Sequence, residues 1–291
     1  MERAVFTVAL GRPPFAEMAM GLGRSLSLAG DTTPRIVMTD IEGYDWGRYF
    51  DRVVPPPHER DGLEKLAALE YTEARHVLAL DCDMLAFKRL DPIFEFCRGS
   101  ALAVQGWMIS SGTWHGIDIG PTLKDHGRDA LPKFNGGMIY MERGPECEAI
   151  VARSREIANG YDATGFARYR KGLASEEICL MLAMLDRPGW TLVPEDRDFQ
   201  NTASGLIGFP SIDIRKGRCR YLVRSNRVRR VEPILFHALS LRHFPVYWHQ
   251  LDALKRLERY EDRHPQGYTP PWRTWARTVY RFIYRHISHR L

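Results

Sequence analysis

Apolar residues near the start of the chain come in short unbroken runs separated by stretches with helical spacing. The runs at 4–10, 35–39 and 77–80 predict strands covered on both faces, because a half-exposed strand would alternate apolar and polar positions. Residues 15–28 predict a helix, opened after Gly11-Arg12-Pro13-Pro14 and stopped by Ala29-Gly30-Asp31. A short strand at 52–54 meets the stop Pro55-Pro56-Pro57. Residues 62–73 carry Leu63, Leu66 and Leu69 at helical spacing, with Glu70 falling toward the same face. Strands alternating with helices imply βαβ units, hence an α/β fold around a largely parallel sheet.

Further on, residues 101–104 read as another strand, and the Gly- and Ser-rich span 106–120 shows no clear period. Phe134-Asn135-Gly136-Gly137 reads as a tight glycine turn entering a strand that runs to 141. Helices are predicted at 146–158 and 175–185, and a late strand at 233–237 ends in His237. There is no internal repeat and no linker, so the division is a body at 1–255 and a tail at 256–291.

A chain of 291 residues, 44% of them hydrophobic, can bury a substantial core. No apolar run reaches the ~18 residues of a spanning helix, and Met1-Glu2-Arg3 lacks a secretory pattern, so the expected location is cytoplasmic. Five scattered cysteines without a Cys-x-x-Cys pair suggest neither a disulfide frame nor a zinc site. The net charge of +5 is unevenly spread: six arginines and no acid follow Asp262, leaving −1 for residues 1–262. A nearly neutral body argues against nucleic acid as a partner.

The chemistry concentrates at Asp81-Cys82-Asp83, directly after Val77-Leu78-Ala79-Leu80. Side chains on a strand alternate, so acids at i and i+2 point the same way from its C-terminal end, where open α/β sheets bind ligands. Two hard oxygen donors there suit Mg²⁺ or Mn²⁺, whose shell is usually completed by phosphate and water. Asp-x-Asp alone is weak, since a chain of this length shows it about once by chance. A second copy, Asp196-Arg197-Asp198, lies in a polar stretch and reads as solvated loop.

Several segments in order resemble the GT-A nucleotide-sugar transferases, most closely glycosyltransferase family 8, the group of glycogenin and bacterial lipooligosaccharide sugar transferases. Lys65-Leu66 through Asp81-Cys82-Asp83-Met84-Leu85 is similar to that family's Lys-Leu, helix, strand and Asp-x-Asp unit, with Lys65 preceding Asp81 by 16 positions. Leu90-Asp91-Pro92-Ile93-Phe94-Glu95, Phe134-Asn135-Gly136-Gly137 and Glu176-Glu177-Ile178-Cys179-Leu180 resemble the family's later motifs. The resemblance spans roughly 4–250. It departs at Glu176-Glu177, where the family has Asp-Gln, and at His237 to Phe244, where Ser240 replaces a glycine and Arg242 or His243 must stand in for a lysine.

The resemblance implies a GT-A fold and a transferase that moves a hexose from a UDP-sugar to a glycan or lipid-linked acceptor with retention. Asp81, Asp83 and His237 would hold the cation; the other reading of His237 is a hydrogen-bonded residue at a strand end. Lys65 would neutralise phosphate or touch the nucleotide, unless it is a solvated helix lysine. Asn135, Gly136 and Gly137 would face the sugar, or simply form a turn. Glu176 or Glu177 would orient donor or acceptor, or supply acids to a helix start. Phe15 and Asp40 are candidates for base and ribose contacts, with Phe15 alternatively core, and Arg242 and His243 for the diphosphate.

Residues 256–291 carry Arg273, Arg277, Arg281 and Arg285 every fourth position beside Trp272, Trp275, Val279, Phe282 and Ile283. That is the composition of an amphipathic helix lying on an anionic membrane surface, or of a terminal helix packed on the body. Two other functions are compatible with the sequence: a catalytically inactive sugar-nucleotide or membrane-binding protein, and a nucleotidyltransferase, which the lack of a Gly-rich loop after the first strand disfavours.

Overall fold

A strand with no polar face has to lie inside a sheet, and the first apolar run does so. The computed structural model describes residues 1–168, 172–224, 228–238 and 245–261. It opens with β1 (Arg3–Ala9), α1 (Pro13–Leu28), β2 (Arg35–Thr39), β3 (Arg52–Val54), β4 (His76–Asp81) and β5 (Met84–Ala86). Next come α2 (Asp91–Cys97), β6 (Leu102–Ile109), the hairpin β7 (Thr113–Trp114) and β8 (Ile117–Asp118), α3 (Gly120–Asp125) and β9 (Leu131–Glu142). The order continues through α4 (Pro145–Asn159), α5 (Glu176–Asp186), β10 (Trp190–Pro194), β11 (Gln200–Asn201), β12 (Leu206–Asp213) and β13 (Arg218–Arg224). It closes with β14 (Val228–Val231), β15 (Leu235–His237) and α6 (Pro245–Glu261).

Seven strands form the main sheet in the order β10-β6-β9-β4-β1-β2-β3. All run in one direction except β9, which is antiparallel to both β4 and β6. Alternation along each strand divides the core. Phe6 and Ala79 join Ile150 of α4 and Ile178 of α5 on one face, while Val5 and Leu78 join Leu22 of α1 and Phe94 of α2 on the other. A third cluster packs α6, through Leu251 and Leu254, against α1 and the small sheet β12-β13-β14. The architecture is therefore the expected α/β one, a mostly parallel sheet with helices on both faces.

Four local expectations change. The predicted helix at 62–73 is a 3₁₀ helix, Glu64–Tyr71; Leu63, Leu66 and Leu69 are three apart, which lines them up on one edge at three residues per turn and buries all of them. The predicted glycine turn at 134–137 lies inside the continuous strand β9. Residues 206–213, 218–224 and 228–231, for which no element was expected, form an antiparallel sheet, and β13 alternates exposed and buried positions throughout. Helix α6 runs across position 255, so the folded body continues to Glu261. Ser240, Arg242, His243 and the tail beyond that helix lie outside the described residues.

The β6–β9 ladder shifts register between Val104 and Gly106. A Cβ at Gly106 would overlap the Lys133 carbonyl and stand 2.8 Å from Phe134 Cα. Backbone, unlike a side-chain end, cannot rotate away, so Gly106→Ala should destabilise the protein by about 2–3 kcal/mol. Urea unfolding tests this, and an unchanged midpoint would mean that the ladder relaxes freely.

Candidate functional site

The site is assembled where β4 ends. Asp81 is its last residue, Cys82 and Asp83 form the turn into β5, and β15 pairs antiparallel with β5 so that His237 stands opposite Met84. The Ala238 amide donates to the Asp83 carbonyl at 3.0 Å, fixing the turn against β15. As a result His237 Nε2 lies 3.3 Å from Asp81 Oδ2 and 3.1 Å from Asp83 Oδ1. One donor atom from each of the three lies within 4.8 Å of the others, a spacing that could hold a metal ion. Two carboxylate oxygens and one imidazole nitrogen suit Mn²⁺ or Mg²⁺, the oxygens being the hard donors both prefer.

His237 is buried, which opposes its charge, yet Asp83 and Asp81 together push its pKa up to about 10. Among the described residues its Nδ1 has no hydrogen-bond partner, and the ring's polar contact is with the two acids through Nε2. Cys82, between them, is buried, and burial beside Asp83 and Asp81 drives its thiol well above the ordinary range. It is the inert packing residue of the turn.

Lys65 links this cluster to the rest of the pocket. Its Nζ donates to Asp81 Oδ1 at 2.6 Å and to the Gly136 carbonyl at 2.6 Å, and pairs with Glu176 Oε1 at 2.9 Å. Burial disfavours the ammonium, but Asp81 and Glu176 outweigh it and hold the pKa above the usual lysine range. Asp81 responds in the opposite sense: burial raises it, and Lys65 followed by His237 brings it well below the usual carboxylate range. Burial dominates at Glu176, pushing its carboxyl up to about 7 against the pull of Lys65. Lys65 is thus a hub with 12% of its side chain exposed and three acceptors, and the solvated-lysine reading is set aside.

Asn135, Gly136 and Gly137 continue β9 one step beyond its Leu80–Met138 pair with β4, which sets them beside Asp81. The glycines make room for protein side chains. A Cβ at Gly137 would stand 2.5 Å from His237 Cε1 and 2.6 Å from Met84 Cε, and one at Gly136 would stand 3.1 Å from Glu176 Oε1. The Gly136 amide donates to Glu177 Oε1 at 2.8 Å, and the Gly137 amide to Asn135 Oδ1 at 3.0 Å. At the same sheet edge, Val8 is level with both Met38 and Asp81, so Asp40 lies just past the level of the metal-site acid. Its carboxylate accepts from the Gly11 amide at 2.7 Å, and Phe15 packs, half-buried, in the first turn of α1.

Three further residues belong to this neighbourhood and were not singled out from sequence. Gln105 exchanges hydrogen bonds with the Gln200 backbone, and Gln200 Nε2 donates to the Asn135 carbonyl at 3.1 Å. His115, with φ 48° at the tip of the β7–β8 hairpin, stacks on Trp114 and lies 3.2 Å from Glu177 Oε2. His115-Gly116 is a hairpin-turn signal inside the aperiodic span. The second Asp-x-Asp is structural: Asp198 binds Arg229 at 2.6 Å and the Glu232 amide at 3.0 Å.

No protein-family model and no curated protein sequence matches this chain. Among solved structures, it is similar to the galactosyltransferase LgtC, solved with donor and acceptor sugar analogues. The identity is 14% over 94% of this chain and 99% of that one, with a TM-score of 0.53. The fold is that of the GT-A glycosyltransferases. The chain is also similar to the glycosyltransferase GlyE of Streptococcus pneumoniae TIGR4, with 12% identity over 90% of this chain and a TM-score of 0.51. It spans 65% of the length of GlyE. At these identities the likeness is one of fold, and the GT-A sheet carries Asp81 and Asp40 on its C-terminal edge.

Gly137→Ala should leave the sheet intact while displacing the His237 ring. We expect about 1–3 kcal/mol of lost stability and, by calorimetry, at least roughly tenfold weaker Mn²⁺ binding; parent-like affinity would remove His237 from the ligand set. In chelator, Glu176 ionises at about 7 when folded and near 4.5 when unfolded. Stability is therefore full below the lower value and falls as pH rises through the upper one, by a few kcal/mol. Glu176→Gln should flatten the stability curve across that window in urea titrations at successive pH. A slope as steep as the parent's would assign the ionisation to another group.

Proposed function

We propose that this protein is a metal-dependent glycosyltransferase that moves a hexose from a UDP-sugar to a glycan or lipid-linked acceptor with retention of configuration. The observation that carries the reading is the convergence of Asp81, Asp83 and His237 at the C-terminal edge of a GT-A sheet. These residues would hold Mn²⁺ or Mg²⁺, which when bound acts as a Lewis acid toward a diphosphate leaving group. Lys65 holds Asp81 in its ionised form and in place, so the ligand set is oriented before substrate arrives. Asp40 and Phe15, beyond β2 and β1, are assigned to the ribose and base. Arg242 and His243 are assigned to the diphosphate.

Asn135 and the Glu176-Glu177 pair are assigned to the sugar. Glu176 stays against Lys65, whereas Glu177 turns one oxygen to the Gly136 amide and the other toward His115. Retention follows in our reading from front-face displacement, in which the departing phosphate oxygen takes the proton of the acceptor hydroxyl. The basic tail beyond Glu261 would hold the enzyme on the cytoplasmic face of a membrane when the acceptor is lipid-linked. No helix among the described residues is long and apolar enough to cross one.

Purified protein should release UDP from one of a panel of UDP-hexoses only with Mn²⁺ or Mg²⁺ present, and UDP with Mn²⁺ should raise its melting temperature. Asp83→Asn should lower turnover ~100-fold or more, because it removes an ionic ligand at the developing charge. Absence of both UDP binding and UDP release across the panel would overturn the reading. Inverted product by NMR would overturn the stereochemical part alone.

A further inference from the structure

The small sheet β12-β13-β14 has two unlike faces. Cys219, Tyr221, Val223 and Val231 point inward and are buried in the cluster that also holds Phe236 and α6. The outward positions of β13 are Arg218, Arg220, Leu222 and Arg224, and those of β14 include Val228 and Arg230. The register sets Leu222 beside Arg230 and Arg224 beside Val228, so arginines and aliphatic residues alternate across the face. Among the described residues, Arg220 is the one of these arginines in an ion pair, with Glu232 at 3.0 Å; Arg218 stands opposite Asp213 in the ladder, but that carboxylate is paired with Arg215 at 2.9 Å. Arg218, Arg224 and Arg230 make no ion pair among the described residues.

Beside them, Phe209 is 95% exposed, Val228 52% and Leu222 39%. Phe209 falls where the β12–β13 ladder shifts register between Ile207 and Ser211, next to Gly208 at φ +67°. The irregular strand thus presents an aromatic ring outward at the sheet edge, where a regular ladder would give it neighbours. A solvated basic surface has no use for exposed Phe, Leu and Val between its arginines. An interface that is anionic on top and apolar beneath uses both.

We propose that this face docks on an anionic phospholipid surface, with Arg218, Arg224 and Arg230 on lipid phosphates and Phe209, Leu222 and Val228 entering the headgroup boundary. Charge decides between occupants. A second copy of the face would oppose arginines with arginines, and the chain's own segment 263–291 brings six more arginines and no acid. A nucleic acid would satisfy the arginines, but one aromatic ring offers no stacking track and the aliphatic residues would find no partner. The contact is separate from the tail and does not depend on the metal site. It does lie close to it in the chain, since β14 leads through Glu232, Pro233 and Ile234 into the strand that carries His237.

The test uses the full chain in co-sedimentation with vesicles, comparing phosphatidylserine-containing with pure phosphatidylcholine bilayers. Binding is expected only to the anionic vesicles. Phe209→Ser, at a site too exposed to disturb folding, should weaken it about tenfold. Together, Arg218→Glu, Arg224→Glu and Arg230→Glu should weaken it roughly 100-fold, since each basic residue contributes about fivefold; the melting temperature of each variant checks its fold. Failure of the parent to bind anionic vesicles, or equal binding to both lipids, would overturn the proposal. So would parent-like binding by Phe209→Ser, which would put the contact in the tail. Loss in the arginine variant alone, matched by oligonucleotide binding, would put a phosphate polymer on this face instead. A concentration-dependent dimer abolished by Phe209→Ser in lipid-free buffer would make it a self-association surface.

Discussion

A buried ammonium needs acceptors on several sides, and the site is organised around meeting that need for Lys65. Its acceptors come from three separate parts of the fold: the end of β4, the start of α5 and the middle of β9. Leaving such a charge unpaired would cost several kcal/mol, so these parts are held in a single relative position by electrostatics as well as by packing. The 3₁₀ helix that carries Lys65 is fixed in turn by Leu63, Leu66 and Leu69 in the core. Placement of the Asp81 carboxylate is therefore decided by residues that would never touch a substrate.

The charges in the pocket also set how proton and cation compete. Asp81 and Asp83 face one imidazole, and it is the protonated imidazole that they favour. A cation seated among the same three donors would replace that proton with a larger charge at the same place. Metal affinity and proton release are then coupled, as they are wherever a ligand must deprotonate to bind. Glu176 lies on the far side of Lys65 and has its ionisation near neutral pH, so the charge of the whole pocket changes within the physiological range.

Much of this was legible in the sequence because it depends on period and order. The unbroken run before Asp81, the helix stop at Gly30 and the strand ending in His237 all read correctly from local pattern. Other parts resisted for identifiable reasons. Asn135-Gly136-Gly137 has turn composition, but the glycines are there because His237 and Glu176 occupy the space their side chains would fill, a tertiary fact. The Leu63, Leu66 and Leu69 spacing fits two kinds of helix, and only packing selects the tighter one. Alternation of Cys219, Tyr221 and Val223 with Arg218, Arg220 and Arg224, interrupted by Leu222, was a partial strand signal that could have been read. His115 meets Glu177 only because a hairpin folds over β9.

β15 is three residues long and is held between the two-residue β11 and the three-residue β5. It also lies far along the chain from the two aspartates and the lysine beside them. His237 follows Asp83 by 237 − 83 = 154 positions, so the imidazole that completes the trio comes from a distant part of the chain. An ion held by all three donors would therefore tie the short strand β15 to the middle of the main sheet and close a loop of about 150 residues.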